Sequence, residues 1–390
     1  MKKILSFFVA IFFTNQAFAG LQTASQLRLE NLLTDNYQAT NSGNEYLNSA
    51  ANVNLISNFR YNKKWFFEVN ARAEQLKEQA SGRNKFYNNE GAYLREARVG
   101  YNGDNVLLYA GKFRPYFGIA WRNGRNNWYD YTANGQEQFD YNNTRGLWTD
   151  YIANNYAQTE KLGIGSVLKA GNEKTIGKYE LGFSAFTNDR KNFDNSIVNG
   201  RASASKQDAL PGDTRSLKSF VASLDVSFDF APEEKLFYRF AYINLATNSL
   251  ASAVSPSKVA DQKGYSAAIN YQKPIAENFN LNGLVELVNM KNVGGNSDIG
   301  DNYFNSSLVA NIEQNWNITT AYNARQHTQI DQNGFDQNMA EISAGYRFNK
   351  NTFFDSLVIQ TGYRNLRTNY KTSINTQNSV GVLVRYIKNF

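Results

Sequence analysis

Cysteine is absent from the 390 residues, and with it go disulfides, thiolate metal centres and cysteine nucleophiles. Histidine occurs once, at His327, with neither a serine nucleophile arrangement nor metal-ligating partners spaced around it. Proline occurs five times, which suits long strands, because proline cannot donate to a β ladder. Long apolar runs are missing too: past Gly20 no stretch approaches about 18 apolar residues, and a mean hydropathy of −0.54 excludes a bundle of membrane-spanning helices. The stretches 296–301 and 331–336 carry calcium-loop residue types without the full ligand spacing or closing glutamate, and no phosphate-binding loop, dinucleotide fingerprint or nucleic-acid module occurs. No catalytic residue, cofactor, metal or nucleic-acid partner is therefore expected.

What the chain has in quantity is aromatic side chains, 14% of residues with 24 Tyr and 27 Phe, set in alternating polar and apolar segments. A transmembrane β-barrel reconciles low hydropathy with aromatic wealth, because its lumen is polar, its outer face apolar, and its rims carry aromatic girdles. A soluble periplasmic sandwich would also alternate, but it has no need of girdles. At the N-terminus, Lys2 and Lys3 precede an apolar run from Ile4 to Phe13 and a small-residue site at Ala17-Phe18-Ala19, the pattern of a cleaved signal peptide over 1–19. Its removal would leave a barrel domain over 20–390 and lower the formal net charge from +7 to about +5. The last strand puts Val380, Val382, Val384, Tyr386 and Phe390 on one face, interrupted by Lys388, with Arg385 on the other.

Alternation and turn rhythm predict sixteen strands: 25–34, 46–60, 65–77, 92–101, 106–114, 159–170, 178–187, 217–230, 235–246, 263–273, 278–290, 302–313, 316–327, 337–348, 355–367 and 376–390. Short connections alternate with long ones, so the short turns and both termini belong on the periplasmic side of an up-and-down antiparallel barrel with long extracellular loops. Fourteen or eighteen strands stay open as alternatives, since 148–156 could form a further strand. Trp65, Tyr101, Phe228, Phe230, Tyr271, Phe279, Trp316, Phe348, Tyr386 and Phe390 recur beside the short turns as a periplasmic girdle. A barrel of sixteen strands is wide enough to hold water, whereas about eight would close on their own side chains.

Parity assigns Arg72, Arg98, Lys169, Arg239, Arg325, Arg347, Arg364 and Arg385 to the lumen, against Glu68, Glu96, Glu180, Asp225, Asp229, Glu286, Glu313 and Glu341. On the 106–114 strand Lys112 and Arg114 share a face with Leu108 and Ala110, and the charged face is taken as lumenal, leaving Leu107, Tyr109 and Phe113 to lipid. Arg95 falls on the outward face, which implies either a subunit contact or a slip in register.

The longest connection, 115–158, is the third long one and concentrates tryptophan and tyrosine, so it is expected to fold inward and pack rather than float in solvent. Arg122, Arg125, Asp130 and Glu137 lie in it and join Lys112, Arg114, Arg72, Arg98 and Arg325 as candidate constriction and pore-lining residues. The run Ala97-Arg98-Val99-Gly100-Tyr101-Asn102-Gly103-Asp104, with Leu108-Tyr109-Ala110-Gly111-Lys112-Phe113-Arg114-Pro115-Tyr116-Phe117-Gly118, resembles the strand, turn, strand and loop start of the phosphate-selective porin O and P family. Here Tyr116 stands between the family's proline and phenylalanine. The resemblance implies a sixteen-stranded homotrimeric, anion-favouring pore passing small anions or polar solutes. The terminal aromatics Tyr386 and Phe390 resemble the signal read by the barrel-assembly machinery of Gram-negative bacteria. Outer-membrane lipid and lipopolysaccharide would then surround the protein. A non-conducting barrel with structural or adhesive loops is the alternative function, and a barrel hydrolase built on His327 a third.

Overall fold

The computed structural model describes residues 21–38, 46–75, 85–86, 90–120, 146–158, 161–188, 211–212, 214, 216–231, 233–247, 258–313, 315–330, 334–348 and 357–389. The expected signal peptide and Phe390 lie outside them. Sixteen long strands follow one another: β1 Leu21–Gln38, β2 Tyr46–Tyr61, β3 Trp65–Gln75, β4 Glu90–Asn102, β5 Val106–Phe113, β6 Lys161–Asn172, β7 Gly177–Asn188 and β8 Ser219–Ala231. The second half is β9 Glu234–Leu245, β10 Gln262–Ala276, β11 Phe279–Lys291, β12 Ile299–Ile312, β13 Trp316–Gln329, β14 Phe335–Arg347, β15 Leu357–Tyr370 and β16 Ile374–Asn389. Each pairs antiparallel with its chain neighbours, and β1 pairs with β16 from Gln26 opposite Asn389 to Gln38 opposite Gln377. The sheet is a closed barrel. Closure leaves no edge strand, so the backbone ladder runs unbroken round the wall from strand to strand. A two-residue strand, Lys85–Phe86, adds a short parallel pairing to β2.

The alternation of the sequence becomes the two faces of the wall. On β13 Trp316, Ile318 and Tyr322 are exposed outward, while Asn317, Thr319 and Asn323 are buried on the inner side. The aromatics beside the short turns form ring contacts between neighbouring strands, Trp65 with Tyr101 at 5.2 Å and Trp316 with Tyr346 at 4.7 Å. Pro274 sits at a register shift in β10, where its missing N–H breaks no regular ladder bond.

Three expectations need correction. The stretch 148–156 is not a strand; it lies inside the barrel and ends in a short 3-10 turn, Ala153–Tyr156. On β5 the faces are reversed: Leu108 and Ala110 are exposed, while Leu107, Tyr109 and Phe113 are buried in an apolar cluster within the barrel. The rule that apolar residues face out assumes a lumen filled with water, and here the inward segment supplies an apolar surface inside. Gly111 has a φ of 124°, yet the ladder runs through it without a shift, so Lys112, opposite Ala97 and Leu162, stays in register with the Leu108 and Ala110 face and not with the lumenal one. Finally, Arg95 is neither lipid-facing nor at an ordinary paired position. Asn70 pairs with Glu96 and Ala71 with Leu94, leaving Arg95 as the extra residue of a bulge, close enough to Arg72, Arg114 and Asp150 to interact electrostatically with each.

Candidate functional site

Both described limbs of the third long connection turn into the barrel, and acidic side chains of the far wall hold them. Leaving β5, the chain bends tightly, with the Phe117 N–H donating to Pro115 O at 3.0 Å, and Gly118 takes a φ of 71°. Arg239 on β9, ion-paired with Asp225, stacks 5.4 Å from the Tyr116 ring and donates to Gly118 O at 3.3 Å. Two consecutive backbone groups, the N–H of Ile119 and of Ala120, then donate to the two Glu286 oxygens at 2.7 and 2.8 Å. Glu286 is fully buried on β11 and also accepts from Ser266 Oγ at 2.9 Å and from the Tyr156 hydroxyl of the returning limb.

The returning limb, 146–158, is pinned further round the wall. Glu341 on β14 accepts from the Trp148 N–H at 3.1 Å and from Thr149 Oγ1 at 3.2 Å. Asn323 donates to Thr149 O at 3.0 Å, and Asn305 to the Tyr156 hydroxyl at 2.9 Å. The Arg364 guanidinium lies 5.2 Å from the Trp148 ring and 4.5 Å from that of Tyr151. Glycines on both sides make room: a Cβ at Gly381 of the wall would sit 2.9 Å from the Trp148 ring, and one at Gly146 of the limb only 2.0 Å from a Glu341 oxygen. Between the limbs and the wall, Phe113, Phe117, Ile119, Ile152 and Tyr156 pack against Phe186, Ile243, Met290 and Tyr303. Burial pushes the Asp150 carboxyl above its usual range, opposed by bonds from its own backbone and Asn154 and by the charges of Arg72 and Arg95.

The lumenal wall is laced with ion pairs. Arg98 holds Glu68 through two nitrogens at 2.8 and 3.1 Å, Arg72 meets Glu74 at 2.6 Å, and Arg114 meets Glu96. On β12 and β13, Asp301 receives Arg325 at 2.9 Å, Tyr303 at 2.8 Å and the His327 ring at 2.7 Å. In three lumenal pairs the base is clearly the more exposed partner, whereas Arg72 and Glu74 are equally exposed and Asp225 is more exposed than Arg239. Side-chain exposure is 31% for Arg28 against 13% for Glu30, 25% for Lys178 against 8% for Glu180, and 16% for Arg325 against 1% for Asp301.

No family model matches the chain, and no curated protein sequence does. Solved structures do resemble it. The outer-membrane channel DcaP of Acinetobacter baumannii aligns with a TM-score of 0.54 at 14% identity, over 96% of this chain and 99% of that one. An anion-selective porin from Comamonas acidovorans aligns at 0.52 with 11% identity, over 94% and 100%. A loop L8 deletion mutant of OmpT, an outer membrane protein of Vibrio cholerae, aligns at 0.50 with 11% identity, over 94% and 99%. The fold is that of a porin-type barrel. These likenesses show the fold and do not single out the phosphate-selective family.

Within this porin-type barrel the candidate residues scatter. Arg72, Arg98 and Arg325 stand on the lumenal wall, each paired with an acid. Arg114 is bound to Glu96 on the same wall, and Lys112 is fully buried, so it does not present its ammonium to channel water. Arg122, Arg125, Asp130 and Glu137 lie outside the described residues. Tyr386 sits on β16 between Leu29 and Leu357. Sequence reasoning placed Glu286, Glu341 and Arg364 inward without recognising them as anchors of the long loop. Their signal was weak: nothing in the strand that carries each charge marks the loop groups it meets. Arg95 and Asp150 were missed as lumenal partners because a bulge and an irregular segment carry no parity.

Proposed function

We propose that the protein is a passive outer-membrane porin, a water-filled channel for small hydrophilic solutes and ions with a modest preference for anions. The observation that carries this reading is the asymmetry inside the lumenal ion pairs. Acids and bases are nearly balanced in number, yet Glu68, Glu96, Glu286 and Asp301 are sunk into the wall or under the inward segment, while Arg28, Lys178 and Arg325 are each more exposed than the acid they pair with. At these three pairs a permeating ion meets the cationic side, and a confined low-dielectric passage amplifies that field. The Ala97 to Gly118 resemblance is carried only as far as anion preference, because its strand-end lysine, Lys112, is buried.

Export through a cleaved 1–19 segment, assembly through Tyr386 and Phe390, and trimerisation through the weakly apolar outward residues Val53, Leu55, Ser57, Ala71, Ala73 and Ala97 belong to the same proposal. The apolar cluster inside the barrel favours one other reading, a barrel that does not conduct. Planar-bilayer recording separates the two. Ohmic channels with an anion-selective reversal potential at low salt are expected, the preference shrinking as the Debye length falls from about 10 Å at 0.1 M to about 3 Å at 1 M. The double variant Arg28→Gln, Arg72→Gln should move the reversal potential toward the unselective value. Absence of channels from folded protein, or cation selectivity in the unaltered protein, refutes the proposal.

A further inference from the structure

We infer that the outward face of β9 to β11, near the end opposite the short turns, binds a phosphorylated, acylated glycolipid of the outer leaflet, the chemistry of lipopolysaccharide. The first observation is a pair of like charges. Lys263 on β10 and Lys291 on β11 are direct cross-strand partners, both exposed on the outward face. Like charges directly opposite on a sheet are unfavourable, and neither lysine makes a hydrogen bond or ion pair among the described residues. The acid two positions before Lys263 is turned elsewhere: Asp261 accepts from the Thr247 N–H at 2.9 Å. Asp298, across the neighbouring loops, is taken by Lys258. Two adjacent ammonium groups with no ion-pair partner among the described residues form a site for a phosphate oxygen cluster.

The second observation lies directly beneath. The next outward pair is Tyr265 opposite Asn289, and the one after it Ala267 opposite Leu287. Here an open groove of about 660 Å³ runs along the wall, floored by Ala222 and Ala267 and walled by Phe240, Tyr242, Tyr265 and Leu287. Tyr242 and Tyr265 stand 5.0 Å apart at its upper edge. Its volume falls in the range of roughly 300–1,000 Å³ typical of sites for small ligands. Beside it the amides of Asn289 and Asn302 are joined at 2.6 Å, at the same level as Tyr265. Read from the loop end toward the membrane interior, the face offers cations, then amides and a phenol, then hydrocarbon. A phosphoglycolipid presents phosphate, sugar and acyl chain in that order. A phospholipid matches the first and last layers and leaves the amide layer unused.

The inference rests on the outer-membrane reading and not on conduction. Its test is native mass spectrometry of the folded barrel titrated in detergent with lipopolysaccharide, with dephosphorylated lipopolysaccharide and with phosphatidylglycerol. Channel conductance of the same preparations shows whether the barrel itself is intact. Lipopolysaccharide should bind more tightly than either of the others. Lys263→Gln with Lys291→Gln should weaken it about thirtyfold, a factor of about five for each lysine lost at an anionic lipid surface. Ala267→Phe, which fills the groove without touching charge, should weaken it independently. Equal affinity for the dephosphorylated glycolipid or for phosphatidylglycerol overturns the inference. So does an unchanged affinity in the double lysine variant, or displacement of the glycolipid by low concentrations of inorganic phosphate, while conductance is retained.

Discussion

Replacing Glu286 by alanine should release the inward segment while leaving the barrel closed. The buried carboxylate accepts four hydrogen bonds, and three of the donors belong to the inward segment: the Ile119 and Ala120 N–H groups and the Tyr156 hydroxyl. A buried donor left without an acceptor costs about 1–3 kcal/mol, so three of them give about 3–9 kcal/mol against the docked state. Water entering from the lumen can satisfy some of them, which places the effect near the lower end, about 3 kcal/mol. That lowers the ratio of docked to released segment by about two powers of ten. The anchors at Glu341, Arg239 and Arg364 remain, so the released state should be intermittent.

Single-channel recording reads this directly. Glu286→Ala should show a larger conductance level, or bursts between two levels, that the unaltered protein visits rarely. Heat-modifiable mobility should persist, because β11 keeps its ladder with β10 and β12. Glu286→Gln should fall between, since an amide offers one carbonyl oxygen and turns a donor toward the second N–H. Identical unit conductance and noise in the alanine variant would show that the carboxylate does not hold the segment.

Two further outcomes follow from named groups. Asp150 has its carboxyl raised by burial, so the docked state binds its proton more tightly than a solvated carboxyl would; its docking is strongest below the ordinary value of 3.8 and weakens as pH rises through the raised one. Asp150→Asn should therefore quieten channel noise at neutral pH and change little near pH 3 (roughly one unit below that ordinary value), and a noisier channel at pH 7 would contradict the sign. Phe390→Ala should lower the amount of folded barrel recovered from outer membranes and raise periplasmic degradation; unchanged yields count against its role in assembly.

The sixteen strands were legible because turn residues and a period of two are local, and each strand found on the wall overlaps one expected from the sequence. What failed was whatever depended on the lumen being uniformly polar. Leu107, Tyr109 and Phe113 face inward, yet taking the charged face of their strand as lumenal reads them as lipid-facing, because the surface that covers them comes from residues far along the chain. Arg95 failed for a different reason: a bulge inserts one residue and reverses parity beyond it, with no mark in the local sequence. The anchoring carboxylates were legible as inward charges but not as anchors, since their partners are backbone groups, which no side-chain pattern announces.

The anchoring and the ion preference use the same acids, which ties the two behaviours together. While the inward segment is docked, Glu286 and Glu341 spend their lone pairs on its backbone and are shielded from channel water, leaving the arginines to set the field. Release of the segment uncovers Glu341 beside Arg364 and adds a negative group to the passage. The larger conductance level of Glu286→Ala should then be less anion-selective than the docked level of the same channel, although the substitution itself removes a negative charge. Reversal potentials measured level by level decide this. A wide level more anion-selective than the narrow one would mean that the missing charge outweighs the uncovered one, and that the buried acids do not mask themselves by docking.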